Sequence, residues 1–376
     1  MSERLPIPSL HDLLRQRVPR VRVSQFLIGV NLAVFLAMLV SGAGLWHSSN
    51  SVQLAWGANF GPATQDGEWW RLGTAMFLHF GVLHLLMNMW ALWDAGQLVE
   101  RMYGPFRFAV IYFLGGVAGN LFSLVSHHGQ AVSGGASGAI FGLYGALLVC
   151  LWRERKNLHP HEFRWLFWGA SGFSVVIVIV GLLIPGIDNA AHIGGFLTGL
   201  LSGVGLARSL QRGEALRWRQ RLLATTAFAI ALLLLVSHVP VPAYRWSDEV
   251  TVRKGVDNFL RDDAAISRAW QDLLNERALD GASFEDLSGR IDTAISDRYE
   301  ESFEQLSRFP INPALPSANA LKLLRQYAEM RRDASHSMAE GLRSKDPNKI
   351  REALALERKS RELQIQVPTG SVRKPN

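Results

Sequence analysis

One cysteine, Cys150, stands in 376 residues. No disulfide can close within the chain, and cysteine says nothing of the compartment. No phosphate-cradling loop is present either. The glycines of Gly115-Gly116-x-x-Gly119 sit inside an apolar run, where they read as packing positions. The two-histidine zinc-protease pattern is missing: His159-Pro160-His161-Glu162 has no second histidine four residues on, and Pro160 breaks a helix there. His127-His128 reads as a polar loop pair. No motif asks for a metal or another cofactor, so none is expected. No internal repeat or relay of ionisable groups runs along the apolar segments, which argues against a transporter. The first apolar run, Phe26 to Leu45, lacks a small-residue cleavage site and reads as a retained span, not a removed signal peptide.

What the chain does have is apolar sequence, unevenly spread. Hydrophobic residues make up 48% of it, and nearly all the long runs fall between residues 26 and 239. Residues 241 to 376 are rich in Arg, Glu, Asp and Ala, and the composition changes at Pro240-Val241-Pro242. A helix needs about 20 mostly apolar residues to cross a bilayer. Seven spans are expected, at 26–45, 82–99, 106–126, 136–152, 165–184, 189–207 and 221–239. Lys and Arg crowd into alternate connections, sixteen in one set against Arg71 alone in the other. Basic loops stay in the cytoplasm. The N-terminus is therefore expected inside and, after seven spans, residues 241 to 376 outside. The net charge of +7 reads as membrane orientation and contact with membrane lipid, not nucleic-acid binding. The aromatic loop at 46–81 is expected to be partly embedded in the membrane, with its tryptophans at the interface. The tail from Asp248 shows apolar residues at helical steps, among them Ile266, Trp270 and Leu273, with a break at Phe309 to Pro316.

The stretch of most chemical interest is Gly134-Gly135-Ala136-Ser137-Gly138-Ala139-Ile140-Phe141-Gly142. Small residues recur every fourth position, at Gly134, Gly138, Gly142 and Ala146, and give a helix one smooth face that a second backbone can approach. A serine is a poor nucleophile until a base takes its proton. His192, 55 residues later, opens a span with a matching stripe: Ala191, Gly195, Gly199 and Gly203. By the charge alternation both spans enter from outside, so Ser137 and His192 share one end. A control lies in Gly169-Ala170-Ser171-Gly172, the same motif near the cytoplasmic end of span five. Ser171 is 13 residues from the outer end near Ile184, about 20 Å at helical rise, and is read as a packing serine. His84 and Asn88, four apart at the start of span two, reach the same level and are candidate donors to an oxyanion. Polar side chains at this depth are costly and face the bundle interior.

These pieces together resemble the rhomboid family of intramembrane serine proteases. The matching residues are Gly135-Ala136-Ser137-Gly138, Ala191-His192 with Gly195 and Gly199, His84-x-x-x-Asn88, Trp70-Arg71, and Glu100-x-x-Tyr103-Gly104-x-x-Arg107, within roughly 65 to 205. The resemblance implies a Ser137 nucleophile and a His192 base without a required aspartate. It implies an oxyanion site from His84, Asn88 and the Ser137 backbone N–H, with Arg71 and Glu100 holding loops. Family members often carry tyrosine where this chain has Phe141. A phenyl ring can still stack under the histidine but lacks the hydroxyl.

The expected fold class is all-α: a polytopic membrane protein with a six-helix rhomboid core, a seventh transmembrane helix and a helical extramembrane domain. The expected domains are a cytoplasmic segment (1–25), the six-helix membrane domain (26–207), a linker with the seventh span (208–240) and an extracytoplasmic helical domain (241–376). The expected activity is cleavage of transmembrane or juxtamembrane segments of other membrane proteins near the outer face, in a bacterial inner (cytoplasmic) membrane. The alternative is a catalytically silent relative that binds and escorts membrane clients. The oligomeric state and the tail's role stay open.

Overall fold

A computed structural model describes residues 10–207, 218–275 and 283–366. Arg4, Arg208, Arg212 and Arg217, four of the sixteen basic residues behind the expected orientation, lie outside these residues, as does the end from Thr369, for which the sequence predicts disorder. Every regular element among the described residues is helical. The chain is an all-α polytopic membrane protein. It divides into two compact units, one ending at Pro242 and the other beginning at Ala243.

The membrane unit contains α1 (Leu10–Arg17), α2 (Val23–Val40), three short helices α3 (Asn50–Ala55), α4 (Gly61–Gln65) and α5 (Arg71–Thr74), then α6 (Val82–Tyr103), α7 (Pro105–Ser126), α8 (Ser137–Glu154), α9 (Pro160–Leu183), α10 (Asn189–Leu206) and α11 (Trp218–Ser237). Four helices, α2, α7, α9 and α11, are each long and apolar enough to cross a membrane. Arg71–Phe77 joined to α6 makes a fifth candidate, bent by 93° at the break, as in a broken span or re-entrant loop. The seven-span expectation also included α8 and α10, which are not in that set. Their glycines and polar residues dilute their hydropathy. These helices bury that surface against other helices, so they need not be apolar all round. Helix α2 stops at Val40, short of the expected Leu45, because Gly42 takes a φ of 97° just beyond it.

Helix α8 is the centre of this unit. It is buried on nearly every side, between α10, α7, α6 and α9. One residue, Gly104, joins α6 to α7. Its φ of 82° lets the chain reverse, and Pro105 opens α7 already in helical φ. Tyr103, beside that turn, is fully buried and donates its hydroxyl to the carbonyls of Ala146 (2.8 Å) and Gly203 (3.3 Å). It thereby bridges α8 and α10 at the end remote from Ser137. At the same end of α6, Glu100 accepts backbone N–H groups of Arg22 (2.9 Å), Val23 (3.0 Å) and Ser24 (2.9 Å), and the Ser24 hydroxyl (3.0 Å). A carboxylate there satisfies the otherwise unpaired donors of the α2 N-terminus and meets the positive end of its dipole.

The 46–81 segment is an ordered cap on α7, not a free loop. Asn59 donates to the Asn120 carbonyl (2.9 Å), Asn120 donates back to that of Leu72 (2.8 Å), and Gln53 donates to that of His79 (3.0 Å). Arg71, buried under Trp70, binds Glu68 (2.6 Å) and the carbonyls of Leu54 (2.7 Å) and Ala58 (3.1 Å). Trp46, Trp69 and Trp70 remain exposed on this segment.

The tail unit is built from α12 (Trp246–Asn275), α13 (Phe284–Ile291), a π-helical turn (Asp292–Ser296), α14 (Asp297–Ser307), α15 (Ala318–Ser344) and α16 (Pro347–Gln366). Two apolar clusters hold it, one around Val256, Phe259 and Leu324, the other around Ile266, Ile295 and Tyr299. Buried Asp263 joins them as acceptor for the hydroxyls of Tyr299 (2.8 Å) and Tyr327 (2.9 Å).

Candidate active site

The site begins with two helices that cross without side chains between them. A Cβ built on Gly195 would lie 2.0 Å from the Gly138 carbonyl oxygen, and one on Gly199 would lie 2.0 Å from that of Gly142. Backbones this close require glycine. The two small-residue stripes of the sequence are the two faces of this crossing. Gly138 follows Ser137, and a Cβ on it would lie 3.3 Å from the carbonyl of Ala191, which precedes His192. Serine and histidine therefore each sit one residue from the contact between α8 and α10.

Ser137 is the first residue of α8. Its backbone N–H and the next ones in the first turn have no intrahelical acceptor, and the helix dipole places positive charge there. Gly135 precedes it at φ 143°, bonded through its N–H to the Ala75 carbonyl (2.9 Å). A Cβ at Gly135 would lie 3.0 Å from His84 Nε2 and 3.7 Å from Ser137 Oγ. The missing side chain is what lets the imidazole of α6 and the hydroxyl of α8 share one space.

His192 is the fourth residue of α10 and is only 4% exposed. Its ring lies flat on Phe141, with centroids 4.4 Å apart and planes 5° apart. Its Nδ1 is buried with no hydrogen-bond partner. His84 is flanked by Phe80 and by His79, whose rings lie 6.4 Å and 5.1 Å away. Asn88, one turn along α6, is buried and donates its amide to the His84 carbonyl (2.8 Å). That bond uses one amide hydrogen and leaves the second for another acceptor.

The structure thus gathers Ser137, Gly135 and His84 at one point, and Gly138, Gly195, Phe141 and His192 beside it. Gly199 lies one turn further along α10. Arg71 and Glu100 stand apart, the first inside the 46–81 cap and the second at the α2 N-terminus. Ser171 sits on α9, where Cβ atoms on Gly169 and Gly172 would meet nothing within 4 Å. The repeated motif makes no crossing there.

Sequence reasoning passed over Asp188. It is the N-cap of α10, and its Oδ1 accepts the Ala191 N–H at 2.9 Å. Its Oδ2 accepts the hydroxyls of Ser123 (2.6 Å) and Ser133. An Asp just before a helical run is an N-cap signal that the sequence did carry. Its two serine partners, 65 and 55 residues away, had no local signature.

Residues 66–209 match the Rhomboid domain model. Among curated relatives, the chain is 34% identical over 221 residues to "Rhomboid protease GluP" of Bacillus subtilis (strain 168), covering 57% of this chain and 40% of that protein. It is 29% identical over 224 residues to "Rhomboid protease AarA" of Providencia stuartii, covering 54% of this chain and 79% of that protein. It is also 38% identical over 157 residues to "Inactive RHOMBOID-like protein 8" of Arabidopsis thaliana, covering 41% of this chain and 43% of that protein. The chain spans 40% of the length of GluP and 40% of "RHOMBOID-like protein 9, chloroplastic" of Arabidopsis thaliana.

Proposed function

This chain belongs to the rhomboid family through residues 66–209, and from that premise we propose that it is an intramembrane serine endopeptidase. The substrate class is membrane proteins, cut in or near a transmembrane segment. Ser137 is the nucleophile and His192 the base. The Ser137 oxygen bonds the scissile carbonyl carbon while its proton passes to the imidazole. The oxyanion is met by His84, Asn88 and the Ser137 backbone N–H at the positive end of α8. The proton then goes to the leaving amine, and water hydrolyses the acyl-enzyme by the same steps. A substrate helix must unwind to present its peptide bond, so helix-weakening residues are expected near the cut.

The observation that carries this reading is the glycine-on-glycine crossing of α8 and α10, which brings the residues flanking Ser137 and His192 into van der Waals contact. Stacking on Phe141 supports the role of His192, because a stacked ring is restrained in orientation and its nitrogens keep a fixed direction. The proposed topology has the N-terminus in the cytoplasm, seven spans including α8 and α10, and the tail unit outside a bacterial inner membrane. Protease digestion of spheroplasts tests it: a protected tail would overturn it.

The test of the activity is purified protein in liposomes with a model transmembrane substrate. Wild type is expected to cleave and Ser137→Ala to be silent. Cleavage that survives Ser137→Ala would sink the assignment. One relative carries "inactive" in its name, and a silent client-binding protein is the second reading. A fluorophosphonate probe separates the two, since folded wild type that takes no label would favour the binder.

A further inference from the structure

The loop that leads into Ser137 and the helix that carries His192 are joined by one carboxylate. Asp188 lies four residues before His192, and Ser133 lies four residues before Ser137. Their side chains bond each other. The same Asp188 oxygen takes the Ser123 hydroxyl of α7 at 2.6 Å, and the other oxygen takes the Ala191 N–H at 2.9 Å. Ser123 and Ser133 are both buried. Ser133 is fixed further by a two-way backbone bridge with Asn59, at 2.9 Å in each direction. On the opposite flank, Asn189 donates to the Val178 carbonyl of α9 at 3.0 Å. The first turn of α10 is therefore held on one side by α7 and the serine loop, and on the other by α9.

We propose that Asp188 is a positioning residue for the hydrolysis, acting as a clamp that sets the spacing of Ser137 and His192; this rests on the protease reading above. The competing role is a direct carboxylate partner for the imidazole. The geometry argues against it, because the hydrogen bonds of Asp188 go to Ala191, Ser123 and Ser133 and none goes to the imidazole, whose Nδ1 has no partner. The clamp works through backbone. An N-cap carboxylate fixes where the helix starts, and His192 is in the first turn after it. Proton transfer requires heavy atoms within about 2.6–3.2 Å, and a misplacement of about 1 Å costs roughly 100-fold in rate. A loop tethered only by its own backbone would not hold that tolerance.

The experiment compares full-length wild type, Asp188→Ala, Asp188→Asn and the double variant Ser123→Ala/Ser133→Ala in nanodiscs, with Ser137→Ala as the blank. Asp188→Ala is expected to lower kcat about 10- to 100-fold with KM nearly unchanged. Its amide hydrogen exchange should rise in residues 130–136 and 189–193. Asp188→Asn should recover most of kcat, since asparagine caps as well as aspartate and can still bond a hydroxyl. The double serine variant keeps the cap on Ala191 and should reproduce the rise in residues 130–136, with a smaller one in 189–193. Unchanged exchange in Asp188→Ala would overturn the clamp whatever the activity shows. Asp188→Asn as slow as Asp188→Ala, with wild-type exchange, would also overturn it in favour of a charge acting on the imidazole. Wild type that neither labels nor cleaves would sink the protease reading, and the exchange comparison judges the clamp apart from it.

Discussion

The ring of Phe141 lies parallel to that of His192, 5° from coplanar and 4.4 Å away between centroids. Phe141 is one helical turn after Ser137, so one face of α8 carries both the hydroxyl and the surface on which the imidazole rests. Aromatic contacts of this kind contribute about 0.5–1.5 kcal/mol beyond burial. Phe141→Leu keeps most of the volume and loses the flat face. It is expected to reduce kcat about 2- to 10-fold with KM unchanged. Phe141→Tyr keeps the face and is expected to stay close to wild type, provided the added hydroxyl finds a partner in this buried place. Kinetics on a transmembrane substrate and the rate of fluorophosphonate labelling check both. A Leu variant with wild-type kcat would mean that the stacking does not orient the base.

The crossing of α8 and α10 makes a sharper demand. Gly195→Ala or Gly199→Ala would push a methyl into a backbone carbonyl that cannot swing aside. Overpacking of this kind costs about 1–3 kcal/mol or more, and here the helices must part to relieve it. Each variant is expected to melt earlier and to lose cleavage by at least about 100-fold through displacement of His192. Gly172→Ala, on the open side of α9, is the matched control and should behave as wild type. Thermal unfolding in detergent, together with the cleavage assay, reads both effects. Wild-type behaviour of Gly195→Ala would show that the helices sit further apart than 2.0 Å allows.

These two positions also mark how far the sequence is legible. The stripes at Gly138, Gly142 and Gly195, Gly199 are read from spacing alone, because close helix packing has a four-residue period and no competing use for glycine there. The motif at Ser171 is the same in letters. It makes no crossing, because no other helix comes within 4 Å of where its glycines would carry a Cβ. The long-range polar contacts are not legible. Asn59 with Asn120, and Asp188 with Ser123, join residues far apart in sequence, and any of them reads locally as a turn or a cap. The short helices of the 46–81 segment escape for another reason: at four to six residues they are too short to show a period. The Gly42 stop after α2 was visible, and an apolar run continuing to Leu45 masked it.

Glu100 accepts four hydrogen bonds from the start of α2 while itself fully buried. Glu100→Ala leaves three backbone donors without this acceptor, and that of Ser24 is buried. Leaving a buried donor unsatisfied costs about 1–3 kcal/mol. The variant is expected to melt well below wild type, with Glu100→Gln between the two because one carbonyl oxygen remains. The site around Ser137 is at the other end of α6, so protein that does fold should label with fluorophosphonate at close to the wild-type rate. A Glu100→Ala protein with wild-type melting would show that α2 is not anchored here.

The tail unit carries a pH dependence of its own. Burial, with the Asp263 charge adding to it, pushes the Tyr299 hydroxyl up to about 12 and raises Tyr327 as well. Both hydroxyls donate to Asp263, and ionising either would set a phenolate against a carboxylate in a buried place. Unfolded tyrosine ionises near pH 10. The folded value is higher, so the contribution to stability is complete below pH 10 and is lost as pH rises through about 12. Over that window the unfolded chain has released protons that the folded unit still holds, and stability falls by about 1.4 kcal/mol per pH unit for each such group. Thermal unfolding from pH 9 to pH 11.5, followed by circular dichroism, should show a steep decline. Tyr299→Phe removes one titrating group and should flatten the slope by that amount, even though the variant starts less stable at pH 9 through the lost bond to buried Asp263. An identical slope in wild type and Tyr299→Phe would mean that this hydroxyl ionises as readily folded as unfolded, and that Asp263 does not hold it.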